Sequence, residues 1–247
     1  MLPEEEEAGY TVVPFEGVCQ PMPSSILSPM FRLEMLPEEE CQSAWNLQNS
    51  IGRLSSYVAA FEAAVALYDH TLALLKTDRS NRQYWRWCHI AAREGAMTVY
   101  HFGCVLLNGC SFKPCPSLGS LVSASHMKLA RKRFAAKFPN ATALRNIIAH
   151  DAEAYDTEEK RGIHALRSKG ATATKGTGLV IHSGLVDRSF QTTFEGRIIS
   201  YDLDEKTLRF LQEITIQFYQ SLERVERLSP QLRQRIALDR EVRSQEP

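Results

Sequence analysis

Arg145 and His150 stand five positions apart in the run Leu144-Arg145-Asn146-Ile147-Ile148-Ala149-His150-Asp151. Five residues advance a helix by about 500°, so the two side chains point roughly 140° apart and flank a groove rather than stack. Histidine exchanges a proton near neutral pH, and arginine grips phosphate through paired N–H groups. The pair therefore suits phosphodiester cleavage. The bland reading stands beside it. His150 also fits a helix end, hydrogen-bonded to a neighbour such as Glu153, and Arg145 also fits a structural ion pair.

Two further stretches carry charge where a substrate groove would need it. Arg86, His89, Arg93 and Tyr100 recur at helical spacing and share one face. Arg93 stands among the small residues Ala91, Ala92, Gly95 and Ala96, either as the wall of a cleft or as a member of a structural network with Asp151 and Glu153. Downstream, Lys128, Arg131, Lys132, Arg133 and Lys137 occur with no acid among them. Arg93, Lys128, Arg131 and Lys132 are the candidate substrate-binding residues. A solvated helix face accounts for the same basic run, with Leu129, Phe134 and Phe138 as its buried side.

Helices must position these residues. Ile51, Leu54, Val58, Phe61, Val65, Tyr68, Leu72 and Leu75 step by three and four, the seam of a long helix in a bundle. Asp78-Arg79-Ser80-Asn81 breaks it. A second helix follows over about 81–107, carrying Trp85, Cys88, Ala92, Met97, Val99 and Phe102 inward and ending at Asn108-Gly109. A third helical region covers 119–137, and Pro139-Asn140 restarts a helix that holds the Arg145–His150 run. The period then changes to two. Gly178–His182, Val186–Phe194 and Arg197–Leu203 read as strands, with turns at Ser183-Gly184 and Glu195-Gly196. Asp204 caps a last amphipathic helix through Leu208, Leu211, Ile214, Phe218, Leu222 and Val225. The expected fold is mainly α: an antiparallel four-helix bundle with a small inserted antiparallel β-meander at about 178–203. Residues 1–36 read as a poorly ordered arm, 37–228 as the bundle domain and 229–247 as a charged tail. The string MLPEEE occurs at both 1–6 and 35–40.

Equal numbers of basic and acidic residues, 29 each, argue against a protein whose whole surface is given to nucleic acid. No run of eighteen apolar residues predicts a membrane span, and the acidic start predicts no secretion signal, so cytoplasmic residence is expected. The six cysteines form no Cys-x-x-Cys pair and read as mostly buried thiols. His101, Cys104, Cys110 and Cys115 are all zinc-ligand types, but their spacing fits no standard knuckle. Neither a metal nor a cofactor is expected.

The run Arg145-Asn146-Ile147-Ile148-Ala149-His150 resembles the signature of the HEPN superfamily, helical domains marked by arginine, four to six residues, then histidine. The resemblance covers about 40–160 and 204–228 and leaves the meander outside it. It implies a metal-independent endoribonuclease or an RNA-binding protein, commonly dimeric, with Arg145, Asn146 and His150 as the active set. His150 would move the proton of the RNA 2′-hydroxyl while Arg145 holds the phosphate. RNA and a second copy of the chain are then the expected partners. The alternative is a non-catalytic helical bundle that binds a protein or a small ligand. The small-residue patch 91–96 and the arm 1–36 are the surfaces available for self-association.

Overall fold

The eight seam positions spaced by three and four belong to one continuous helix, α1 (Glu38–Thr77). Seven of the eight are buried and Leu72 is partly so, which turns a sequence period into one packed stripe. The computed structural model of the chain describes residues 27–149, 156–166, 180–181 and 184–226. Part of α1 is long and apolar enough, by length and composition alone, to cross a membrane. In this fold its apolar stripe faces the core. Of the arm 1–36, residues 27–36 pack on α1, with Phe31, Met35 and Leu36 buried and the Phe31 N–H donating to Gln48 Oε1 at 2.6 Å.

After the break at 78–81, Asn81 caps α2 (Arg82–Cys104) by accepting the Gln83 N–H at 3.0 Å. The helix widens into a π turn at Val105–Gly109, in agreement with the expected end at Asn108-Gly109. Trp85 is a correction: placed inward by its spacing, it is 47% exposed, because the inward stripe of α2 begins at Cys88. The third helical region is split. A single turn, α3 (Pro116–Gly119), precedes α4 (Ala124–Lys137). Glu40, in the second MLPEEE copy, accepts from the Ser117 N–H at 3.2 Å and the Ser117 hydroxyl at 2.9 Å, satisfying the open start of α3. Leu129, expected on the buried side of α4, is 46% exposed, while Ala130 and Phe134 supply the inward contacts.

α5 (Ala141–Ala149) lies along α2, and a short α6 (Glu158–His164) follows. α7 (Glu205–Gln220) packs on both α1 and α4. Asp204 caps it as expected, accepting the Thr207 N–H at 2.7 Å. The Tyr219 hydroxyl donates to the Ile51 oxygen at 3.1 Å, and Arg133 pairs with Glu213 at 2.8 Å.

Between α6 and α7 lies a three-stranded antiparallel sheet in the order β1 (Gly184–Val186), β2 (Ser189–Phe194), β3 (Arg197–Asp202). The inserted meander is therefore present; of the expected first strand Gly178–His182 only residues 180–181 are described, where the Ile181 oxygen accepts the Thr193 N–H at 3.0 Å. The first turn falls at Asp187-Arg188, not at Ser183-Gly184, and Gly184 is itself a strand residue paired with Gln191. Asp187 takes the left-handed conformation at φ 50° without being glycine. Contacts from α1 hold it there: the Tyr68 hydroxyl donates to the Asp187 oxygen, and Asp69 pairs with Arg188.

The inner face of the sheet covers the small residues of α2. Phe190, Ile199 and Tyr201 are buried, and the Tyr201 hydroxyl donates to the Ala92 oxygen. A Cβ on Gly95 would lie 2.7 Å from both Leu203 Cδ1 and the Tyr201 hydroxyl oxygen. The patch 91–96 is thus an internal seat for β3, and it is closed to a second copy of the chain. The molecule is mainly α with a small antiparallel β-sheet insert.

Candidate functional site

The site begins on α2. Tyr100 and Arg93 lie two turns apart on one face, and α5 runs antiparallel across them. The Arg145 guanidinium lies over the Tyr100 ring, 5.5 Å from its centroid. One turn along α5, the Ile148 oxygen accepts from Arg93 Nη2 at 3.0 Å. Ile148 stands one residue before the last described residue of α5. Of the face expected from the spacing of Arg86, His89, Arg93 and Tyr100, Arg93 and Tyr100 meet the motif helix.

Arg145 is half-buried, and its Nη1 donates to the Oδ1 of its neighbour Asn146 at 3.1 Å. Its Nε is buried and has no hydrogen-bond partner among the described residues. His150 lies outside the described residues, as do Asp151 and Glu153. Of the expected active set, the structure thus describes Arg145 and Asn146, with Arg93 meeting the same helix at Ile148.

Three groups on α2 have shifted proton affinities: Cys88, pushed up by burial, and the two on the expected polar face, Tyr100 and His89. A hydrogen bond with the Cys104 thiol and the nearby thiolate charge push Tyr100 up, partly offset by the Arg145 cation. Burial, then the Arg93 cation, push His89 down, which keeps its imidazole neutral at pH 7. Missed from the sequence was the aromatic contact between α1 and α2. His101 stacks on Tyr57 at 5.9 Å and meets Tyr100 edge-on at 5.2 Å. Rings on separate helices leave no spacing signal, so only the fold could reveal it.

The basic run occupies a different part of the molecule. Arg131 spends its guanidinium on main-chain oxygens at the end of α2, Leu106 at 2.8 Å and Cys110 at 2.9 Å. Lys128 and Lys132 are exposed on the outer side of α4. Arg133 is taken by Glu213 and Gln217 of α7. Of the four candidate substrate contacts, only Arg93 hydrogen-bonds to the motif helix among the described residues.

Among the described residues, no group of three or more His, Cys, Asp or Glu gathers closely enough to hold a metal ion. Of the 101–115 set, His101 is exposed, while Cys110 and Cys115 are buried. Burial pushes the Cys110 thiol up to about 12, the opposite of what a thiolate ligand needs. The α2–α5 face can therefore present guanidinium and imidazole groups to an anion, or lock two helices together with the same atoms. Comparison with known proteins adds no relative: no protein-family model, no curated protein and no solved structure matches the chain.

Proposed function

We propose that the chain is a non-catalytic binding protein, a four-helix bundle of α1, α2, the broken pair α4–α5, and α7. Its ligand is a protein or a small molecule, and its Arg-Asn motif secures α5 to α2. The observation behind this reading is that the described motif side chains are turned onto the protein itself. Arg145 lies on Tyr100 and binds Asn146, and Arg93 donates to the Ile148 oxygen of α5. An arginine kept for substrate phosphate would instead hold its donors toward an open groove. The test pairs stability with activity. Arg145→Ala should lower unfolding free energy by about 1–2 kcal/mol, the scale of a half-buried cation–π contact with a charged hydrogen bond. Single-stranded RNA incubated with wild-type protein in EDTA should remain intact.

A second reading is favoured by one observation: Arg93, Arg145 and a neutral His89 lie on or beside the α2–α5 face. On this reading the chain is a metal-independent, HEPN-like endoribonuclease or RNA-binding protein. Two copies together would build a composite site, with His150 moving the 2′-hydroxyl proton and Arg145 stabilising the phosphorane charge. RNA cleavage that persists in EDTA and is abolished by His150→Ala would replace the first reading with this one.

A further inference from the structure

We infer that the outer edge of β3 is a docking site for an extended, acidic peptide segment of a partner protein, added to the sheet as a fourth strand. The sheet order is β1-β2-β3, so no strand covers the far side of β3 among the described residues. Which backbone groups point that way follows from the register. Glu195 and Gly196 both have positive φ, 49° and 75°, as a two-residue type I′ turn requires, so the flanking pair Phe194–Arg197 is hydrogen-bonded. Alternation then directs the N–H and C=O groups of Arg197, Ile199 and Tyr201 to β2. The Leu203 N–H, which donates to the Arg188 oxygen at 2.8 Å, keeps the same phase. The N–H and C=O groups of Ile198, Ser200 and Asp202 therefore face outward, and all three residues are exposed.

Natural sheets guard such an edge with proline, a bulge, charged edge residues or cover by a helix or loop. β3 has no proline, its register with β2 runs unbroken over six pairs, its charges Arg197 and Asp202 stand only at its two ends, and between them it exposes Ile198 to 48%. Beside the edge lies a small cleft of about 40 Å³, lined by Lys137, Asn140, Leu144, Ile199, Ser200 and Tyr201. A strand added along β3 would send alternate side chains toward this cleft, the arrangement by which edge-strand addition acquires selectivity. Charge selects the occupant. Lys137 at the cleft and Arg197 at the start of the edge are both exposed, and neither has an ion pair among the described residues. A second copy of β3 suits the edge less well. An antiparallel pairing centred on Ser200 sets Asp202 opposite the apolar Ile198 and brings no acid to Lys137. The inference is independent of what the α2–α5 face does.

The test titrates two blocked octapeptides into the full chain, one alternating threonine with glutamate, the other threonine with lysine. Amide exchange and chemical shifts are read by NMR. The glutamate peptide should slow exchange at Ile198, Ser200 and Asp202, and should bind at least tenfold more tightly than the lysine peptide. Lys137→Glu, a surface change, should reverse that preference. Ser200→Pro removes an outward N–H while sparing the bonds to β2, and should abolish protection. Absence of protection with either peptide overturns the inference, as does an unchanged preference in Lys137→Glu. Protection that grows with protein concentration alone also overturns it, by giving the edge to a second copy. The Lys137→Glu arm decides even where Ser200→Pro fails to fold.

Discussion

Arg93 on α2 donates to the main-chain oxygen of Ile148 on α5 at 3.0 Å, across 55 residues of sequence. The nine described residues of α5 are too few to hold a helix by themselves, so this stretch depends on what it is docked against. Arg93→Ala should cost about 1–2 kcal/mol, the usual value of a charge-assisted hydrogen bond that is partly solvated. It should also speed amide exchange in α5 while leaving α7 unchanged. An unaltered denaturation midpoint with unaltered α5 exchange would show that this bond is not what holds the motif helix.

Gly95 carries the approach of the sheet to α2. An added methyl would lie 2.7 Å from Leu203 Cδ1 and 2.7 Å from the Tyr201 hydroxyl oxygen, and both groups are buried. Gly95→Ala should therefore destabilise by about 1–3 kcal/mol through overpacking, despite the better helix propensity of alanine. Tyr201→Phe frees space at the same point, so the double variant should lose less than the sum of the two single changes. Thermal unfolding of the four proteins checks both statements; strict additivity would mean that the two residues do not compete for that volume.

Much of the fold was legible because burial writes itself into spacing. The α1 seam, the Asp204 cap and the Glu195-Gly196 turn each rest on a local rule that tertiary packing did not override. The Asp187-Arg188 turn was not legible. Its left-handed residue is an aspartate held by Tyr68 and Asp69, more than a hundred residues away, while Ser183-Gly184 offered a stronger local turn signal. The candidate site divides in the same way. The α2 stripe follows from helical period, so Arg93 and Tyr100 were found together. That Arg131 is spent on the Leu106 and Cys110 oxygens could not be read, because open helix-end carbonyls belong to the backbone and leave no mark on side-chain pattern.

His89 gives the stability a pH dependence of definite sign. Burial and Arg93 lower its proton affinity in the folded state, so the unfolded chain binds the proton more tightly. Stability from this group is therefore fully present above the unfolded value, near 6.5, and is lost as pH falls below it toward the folded value. His89→Gln should flatten that part of the stability profile below about pH 6.5. Urea unfolding across this range is the measurement. A profile for His89→Gln parallel to wild type throughout would show that His89 is not the group responsible.

The hydroxyl of Tyr68 is the last tie to be tested. Burial is the main cause that pushes its proton affinity up to about 12, and it donates to the oxygen of left-handed Asp187. The Arg188 guanidinium also lies 5.9 Å from the Tyr68 ring centroid, so ring and hydroxyl hold the same turn from two directions. Tyr68→Phe keeps the ring and removes only the donor, leaving a carbonyl short of one bond. The expected cost is about 1–2 kcal/mol. Asp187→Gly removes the backbone strain instead, and should stabilise or be neutral if the Arg188–Asp69 pair holds the turn in place. In the double variant the Tyr68→Phe penalty should persist, because the orphaned carbonyl is main-chain and remains when the side chain changes. A penalty that vanishes with Asp187→Gly would instead show that Tyr68 serves to hold a strained residue, and that relaxed backbone no longer needs it. Chemical denaturation of the single and double variants separates these two outcomes.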